Sequence, residues 1–196
     1  MVMKPAIETQ PIVDFLGTRF VIAAAVMIAA KPSVLKKIRG PLLWQGLVLG
    51  VLMTIAYLTQ TVGLQLTTAA ISGFVTGLYV VISPLLIWLI LKIKVTGKIW
   101  IAVALATLGL GFISVNPQSL SFEWPQLWLV ACAFFFSLHI AGLAKWSPKQ
   151  DAYALTVVQL GVVGLINIVW AGIAGYHAPV GGYGWFAILF TAVFST

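Results

Sequence analysis

Long apolar stretches alternate with short connections along this chain, and the positive charge gathers in every second connection. Bilayer hydrocarbon is about 30 Å thick, and a helix rising 1.5 Å per residue needs roughly 20 apolar residues to cross it. Stretches of that kind run Ile12–Ala30, Leu42–Gln60, Thr68–Leu91, Ile99–Val115, Leu127–Ala144 and Ala154–Gly175, and a seventh begins near Tyr183. Lys31, Lys36, Lys37 and Arg39 lie in one connection, Lys92, Lys94 and Lys98 in the second after it, and Lys145 and Lys149 in the fourth. The connections between them, Thr61–Thr67, Asn116–Gln126 and Tyr176–Gly182, hold only Glu123 and His177 as ionisable residues. The positive-inside rule therefore predicts a polytopic helical membrane protein with the basic loops 31–40, 92–98 and 145–149 in the cytoplasm.

Composition excludes other classes. Hydrophobic residues make up 61% and charged residues 8%, against about 25% charged in an ordinary globular domain. The net charge of +7 raises nucleic acid as a partner, but the basic residues are confined to membrane-edge loops, so no nucleic-acid face is predicted. The single cysteine, Cys132, lies within an apolar span and reads as a small core hydrophobe. One cysteine and two distant histidines build no usual zinc site. No glycine-rich loop ending in lysine is present to cradle phosphates. Neither metal nor cofactor is expected.

Both ends read as cut. Met1–Glu8 resembles the exit end of a helix, and Trp185–Thr196 is apolar with no basic stop after it. A membrane protein rarely ends inside hydrocarbon, where terminal carbonyls lack partners, so the sequence predicts a fragment. It also repeats in inverted orientation: Lys4-Pro5 and the span bearing Arg19 parallel Lys145–Pro148 and the span bearing Gln159. Inverted repeats are a common construction of secondary transporters, with substrate held near the midplane.

The stretch Trp44–Asn116 carries a family resemblance. Tyr57-x-x-Gln60-x-x-Gly63-Leu64, Thr67-Thr68-Ala69-Ala70, Gly73-Phe74, Tyr79-Val80-Val81 and Pro84-Leu85-Leu86, followed by Gly109 and Gly111, resemble the EamA domain of the drug/metabolite transporter superfamily. Arg19-Phe20 resembles that family's second helix, and Phe136–His139 through Gln159 the start of its second repeat. The resemblance implies a ten-helix transporter of the bacterial inner membrane, built as two inverted five-helix repeats. About six full transmembrane helices and parts of two others are expected here, with residues 1–118 as a first repeat lacking most of its first helix and 119–196 as an incomplete second. A glutamate that the family carries at the end of its fourth helix corresponds here to Ile93, between Lys92 and Lys94.

Several polar residues inside apolar spans are candidates for a substrate pathway. Arg19 lies about a third of the way into its span, where an ionised side chain costs a few kcal/mol unless it snorkels or faces a wet cavity. It is either a cavity cation that attracts carboxylates or an interface residue pairing with Asp14. Asp14 and Glu8 are expected in the outward headgroup layer. His139, the deep titratable group, relays protons or bonds a neighbouring helix as neutral imidazole. Gln60, Gln65, Gln159 and Asn167 need partners in hydrocarbon and should face the bundle interior. Tyr57 joins Tyr79 and Ser83, which share a helix face. Pro84 removes a backbone hydrogen bond, giving either a hinge or a packing kink. Gly46/Gly50 and Gly73/Gly77 follow the small-xxx-small pattern of close helix approach. Tryptophans 44, 100, 124, 128, 146 and 185 fit an interfacial belt.

The resulting expectation is a secondary transporter that exports small polar metabolites such as amino acids by alternating access. Arg19, Tyr57, Gln60, Tyr79, Ser83, Pro84, His139 and Gln159 are its substrate-pathway candidates. Its partners are the lipid bilayer and a small-molecule substrate, and a homodimer is left open. The alternatives are a non-transporting partner subunit and an intramembrane enzyme, the latter disfavoured by the scarcity of acids.

Overall fold

The computed structural model describes residues 3–93, 96–114, 124–179 and 181–194. No strand occurs among them. The helices are α1 (Met3–Thr9), α2 (Ile12–Ala30), α3 (Pro41–Leu66), α4 (Ala69–Gly77), α5 (Tyr79–Leu91), α6 (Gly97–Ser114), α7 (Gln126–Trp146), α8 (Ala152–Ala174) and α9 (Gly181–Phe194). Short 3₁₀ turns at Pro32–Lys37 and Ser147–Lys149 precede α3 and α8. Lys94, Val115, Glu123 and the expected repeat boundary at 118 lie outside the described residues.

The chain forms two compact units, one of residues 1–54 and 146–196 and one of residues 55–145. In the first, α2 and α8 run antiparallel at backbone distance. A Cβ added to Gly17 would lie 2.9 Å from the Ile168 nitrogen, and one added to Gly164 would lie 2.8 Å from the Val21 nitrogen. Each helix thus supplies the other with a glycine, the close approach that small residues permit in hydrocarbon. Gly46 and Gly50 do the same for α3 and α8, since Cβ atoms there would meet Val158 and Val162 at 2.6 and 2.5 Å. At Gly73 no described residue comes within 4 Å of an added Cβ, so among the described residues it packs against no neighbour.

Two boundaries differ from the sequence reading. The connection expected at Thr61–Thr67 is helical as far as Leu66. Thr61 is fully buried and its hydroxyl donates to the Tyr57 carbonyl at 2.7 Å. Back-bonding of this kind lets a hydroxyl sit inside an apolar helix. Only Thr67 and Thr68 remain as the connection, with Thr68 accepting from the Ile71 N–H at 3.2 Å as the N-cap of α4. The span expected as continuous over Thr68–Leu91 is interrupted at Leu78. Gly77, a weak helix former, precedes the break, and the Leu78 N–H donates to Val75 in a tighter turn, at 3.2 Å.

Large apolar side chains remain exposed on many helices: Leu89 at 68%, Leu105 at 64%, Leu165 at 61% and Ile173 at 84%. A helix apolar on all sides belongs to a core or a membrane, and so much exposed apolar surface is foreign to a soluble monomer.

Candidate functional site

In the first unit the polar groups sit on α2 and α8. Arg19 is 2% exposed, with its guanidinium carbon 4.8 Å from the Phe20 ring centroid, within cation–π range. Asp14 lies five residues earlier on α2, near its start, and is also 2% exposed. Its carboxylate accepts the His177 backbone N–H at 2.8 Å, and the His177 Nδ1 lies 3.6 Å from the same oxygen. Gln10 donates to the His177 carbonyl at 2.9 Å, and the hydroxyls of Thr18 and Tyr176 pair at 2.9 Å. Asp14 and Thr18 are four apart and share a face of α2, Gln10 lies in the bend just before it, and together they fasten the connection between α8 and α9 to the start of α2. Glu8 is exposed.

The buried amides of α8 bond their own helix. Gln159 donates to the Leu155 carbonyl at 3.1 Å and Asn167 to the Val163 carbonyl at 2.8 Å. The Asn167 Oδ1 is buried without a hydrogen-bond partner among the described residues, at a cost of about 1–3 kcal/mol for such an orphan group.

In the second unit the inward face of α7 gathers the aromatic candidates. Phe136 meets the Tyr57 ring of α3 edge-on at 5.2 Å and the Tyr79 ring of α5 at 6.0 Å. These separations fall in the range where aromatic pairs add to burial. His139, three residues beyond Phe136, is 9% exposed, and Cys132, four before it, is fully buried. Tyr79 opens α5 just after the break, and its carbonyl accepts the Ser83 hydroxyl at 2.5 Å and the Ser137 hydroxyl at 3.3 Å. Pro84 is buried inside α5 and has no N–H for the Val80 carbonyl. Gln60 is half-buried on α3. The structure thus brings Tyr57, Tyr79 and Ser83 together around Phe136 and Ser137 in one unit, while Arg19 and Gln159 belong to the other.

Sequence reasoning missed the fastening of Tyr176–His177. The signal was present in Asp14 and Thr18, polar residues four apart on one face of an apolar helix, with Gln10 just ahead of it. It also missed Phe136 as the hub of the tyrosines, because one phenylalanine among Phe134, Phe135 and Phe136 carries no distinguishing mark.

Five helical stretches among the described residues are long and apolar enough to cross a membrane: Ile12–Ala30, Pro41–Leu66, Ala69–Leu91, Gln126–Lys149 and Ala152–Ala174. Together with the exposed apolar faces they define a multi-pass α-helical membrane protein. The chain belongs to the EamA-like transporter family, whose model matches residues 1–115. It is also similar to a protein of Archaeoglobus fulgidus named "Uncharacterized transporter", with 27% identity over 195 residues. That match takes in 100% of this chain and 60% of the relative, so the chain spans less than two thirds of the relative's length. No solved structure matches.

Proposed function

We propose that this chain is part of a secondary transporter that exports small polar metabolites such as amino acids by alternating access. The observation that carries the reading is membership of a transporter family over residues 1–115, in a chain whose apolar helices bury an arginine. A buried guanidinium attracts carboxylate-bearing substrates at a depth where an ionised side chain is otherwise costly.

In this reading Arg19, Tyr57, Gln60, Tyr79, Ser83, Pro84, His139 and Gln159 are the residues of the substrate pathway. The tyrosine rings offer apolar faces with hydroxyl tips, suited to a small zwitterion. The break at Leu78 and the missing N–H of Pro84 make α5 the element that bends. Irregular backbone at membrane depth is tolerated where it is buried in protein or lines a wet cavity, which supports a pathway along this helix. Antiparallel packing of α2 on α8 supports two repeats of opposite orientation, 1–118 and 119–196. Transport runs on an ion gradient or the substrate's own gradient, and His139 is the deep histidine available for proton coupling. The protein lies in the inner membrane of a bacterium with the basic connections cytoplasmic, and carries no enzymatic activity.

The test is counterflow of radiolabelled amino acids in proteoliposomes holding the full-length protein. Substrate-dependent counterflow that Arg19→Gln abolishes supports the reading, and a full-length protein that moves no tested metabolite overturns it.

A further inference from the structure

At one end of the first unit the positive side chains divide into two kinds. Lys37 pairs with Asp151, and Lys31 lies 5.5 Å from the ring of Tyr153, whose hydroxyl donates to the Met27 carbonyl at 2.6 Å. These two cations have structural work. The side chains of Lys36 and Lys149 are exposed and make no hydrogen bond or ion pair with another described residue. The Arg39 Nε donates to the Lys36 carbonyl at 2.7 Å, which fixes the guanidinium beside Lys36 and leaves its outer nitrogens available. Asp151 is the one acid in these two connections, and it is spent on Lys37 and on the Ala154 N–H. Next to the free cations in the chain, the rings of Trp44 and Trp146 pack edge-on at 5.5 Å, with Trp44 53% exposed. Paired tryptophans mark the level where acyl chains give way to headgroups.

We infer that Lys36, Arg39 and Lys149, with the Trp44–Trp146 pair near them in the chain, form a binding surface for the headgroup of an anionic phospholipid. The chemistry matches at two depths. Indole rings favour the glycerol level, and three cations without a described acid partner supply the charge that a phosphate needs. Basic pockets at the ends of transmembrane helices take anionic headgroups in this manner. The charge placement favours lipid over a soluble anion, because Arg39 and Lys149 lie within five residues in the chain of the two rings of an aromatic pair of the kind that anchors at the membrane edge. The inference does not depend on transport and survives the failure of that reading.

Each surface cation strengthens association with an anionic leaflet about fivefold, so removing three should weaken lipid retention at least about tenfold. The experiment places the full-length protein in phosphatidylcholine nanodiscs doped with phosphatidylglycerol, extracts it, and counts retained lipids by native mass spectrometry. Wild-type protein should retain phosphatidylglycerol in preference to phosphatidylcholine. A triple variant, Lys36→Gln, Arg39→Gln and Lys149→Gln, should lose that preference, and a Lys92→Gln, Lys98→Gln variant should keep it. All five side chains are exposed, so the variants test charge and not folding. Wild-type protein without preference overturns the inference. So does a triple variant that keeps it, or a Lys92, Lys98 variant that loses it equally. Displacement of the lipid by millimolar inorganic phosphate would assign the cations to a free anion and also overturns it.

Discussion

The carboxylate of Asp14, 2% exposed near the start of α2, accepts the backbone N–H of His177 at 2.8 Å across 163 residues of sequence. With Gln10 holding the His177 carbonyl and Thr18 the Tyr176 hydroxyl, it ties the exit of α8 to the entry of α2. The turn itself depends on Gly175, whose φ of +92° suits glycine and few other residues.

Replacing Asp14 by Ala takes the charged acceptor from the His177 N–H, and a hydrogen bond to a charged group contributes about 1.5–3 kcal/mol. Asp14→Asn keeps an oxygen acceptor and should lose less. Hydrogen exchange at residues 175–179 reads the effect directly. Faster exchange there in Asp14→Ala than in Asp14→Asn is the expected order.

Gly17→Ala and Gly164→Ala should each destabilise the α2–α8 pair by about 1–3 kcal/mol, the usual cost of an added methyl that the backbone must move to admit. Gly172→Ala on the same α8 has nothing within 4 Å of the new Cβ and should be neutral or stabilising by up to about 1 kcal/mol. Thermal unfolding of the three variants in detergent checks the contrast. Equal shifts for all three would contradict the close crossing.

How much of this was readable in the sequence depends on what kind of information each element needs. Spans such as Ile12–Ala30 matched α2 residue for residue, because crossing hydrocarbon is a matter of length and apolarity alone. The glycines at 46 and 50 were recognisable as packing positions, yet Gly73, with the same spacing to Gly77, packs against no neighbour among the described residues. A one-dimensional pattern marks where a helix is able to approach, and only the neighbour decides whether one does. The end of α3 was misplaced because Thr61, Gly63 and Gln65 look like a loop, whereas Thr61 returns its hydrogen bond to Tyr57 within the helix. The break at Leu78 falls more than one turn ahead of Pro84, the only breaker the sequence displays between Gly77 and Leu91. Arg19 was visible as an anomaly. Its burial, and the gathering of Tyr57 and Tyr79 about Phe136, are tertiary facts with no local signature.

Asp151 gives a pH dependence outside the membrane. Lys37 beside it, then the Ala154 N–H, holds its carboxyl below the ordinary value for aspartate. A depressed carboxyl contributes stability that is complete above its ordinary pKa and is lost as pH falls through the lowered one. Stability should therefore be insensitive to this group near neutrality and fall only in strong acid. In thermal scans Asp151→Asn should narrow that acid-range loss, and the pair's exposure makes its contribution salt-sensitive.

Pro84→Ala restores an N–H that reaches the Val80 carbonyl, so α5 should stiffen and thermal stability should hold or rise. If α5 bends during alternating access, transport in proteoliposomes should slow several-fold while the folded protein is recovered in the same yield. Unchanged transport would reduce Pro84 to a packing kink.

The most direct measurement is counterflow by the full-length protein in proteoliposomes loaded with unlabelled amino acids. Saturable uptake of label that disappears in Arg19→Gln, with that variant still folded by circular dichroism, is the predicted result. Uptake equal to protein-free vesicles for every metabolite tried, or uptake unaffected by Arg19→Gln, would contradict a carboxylate-binding transporter.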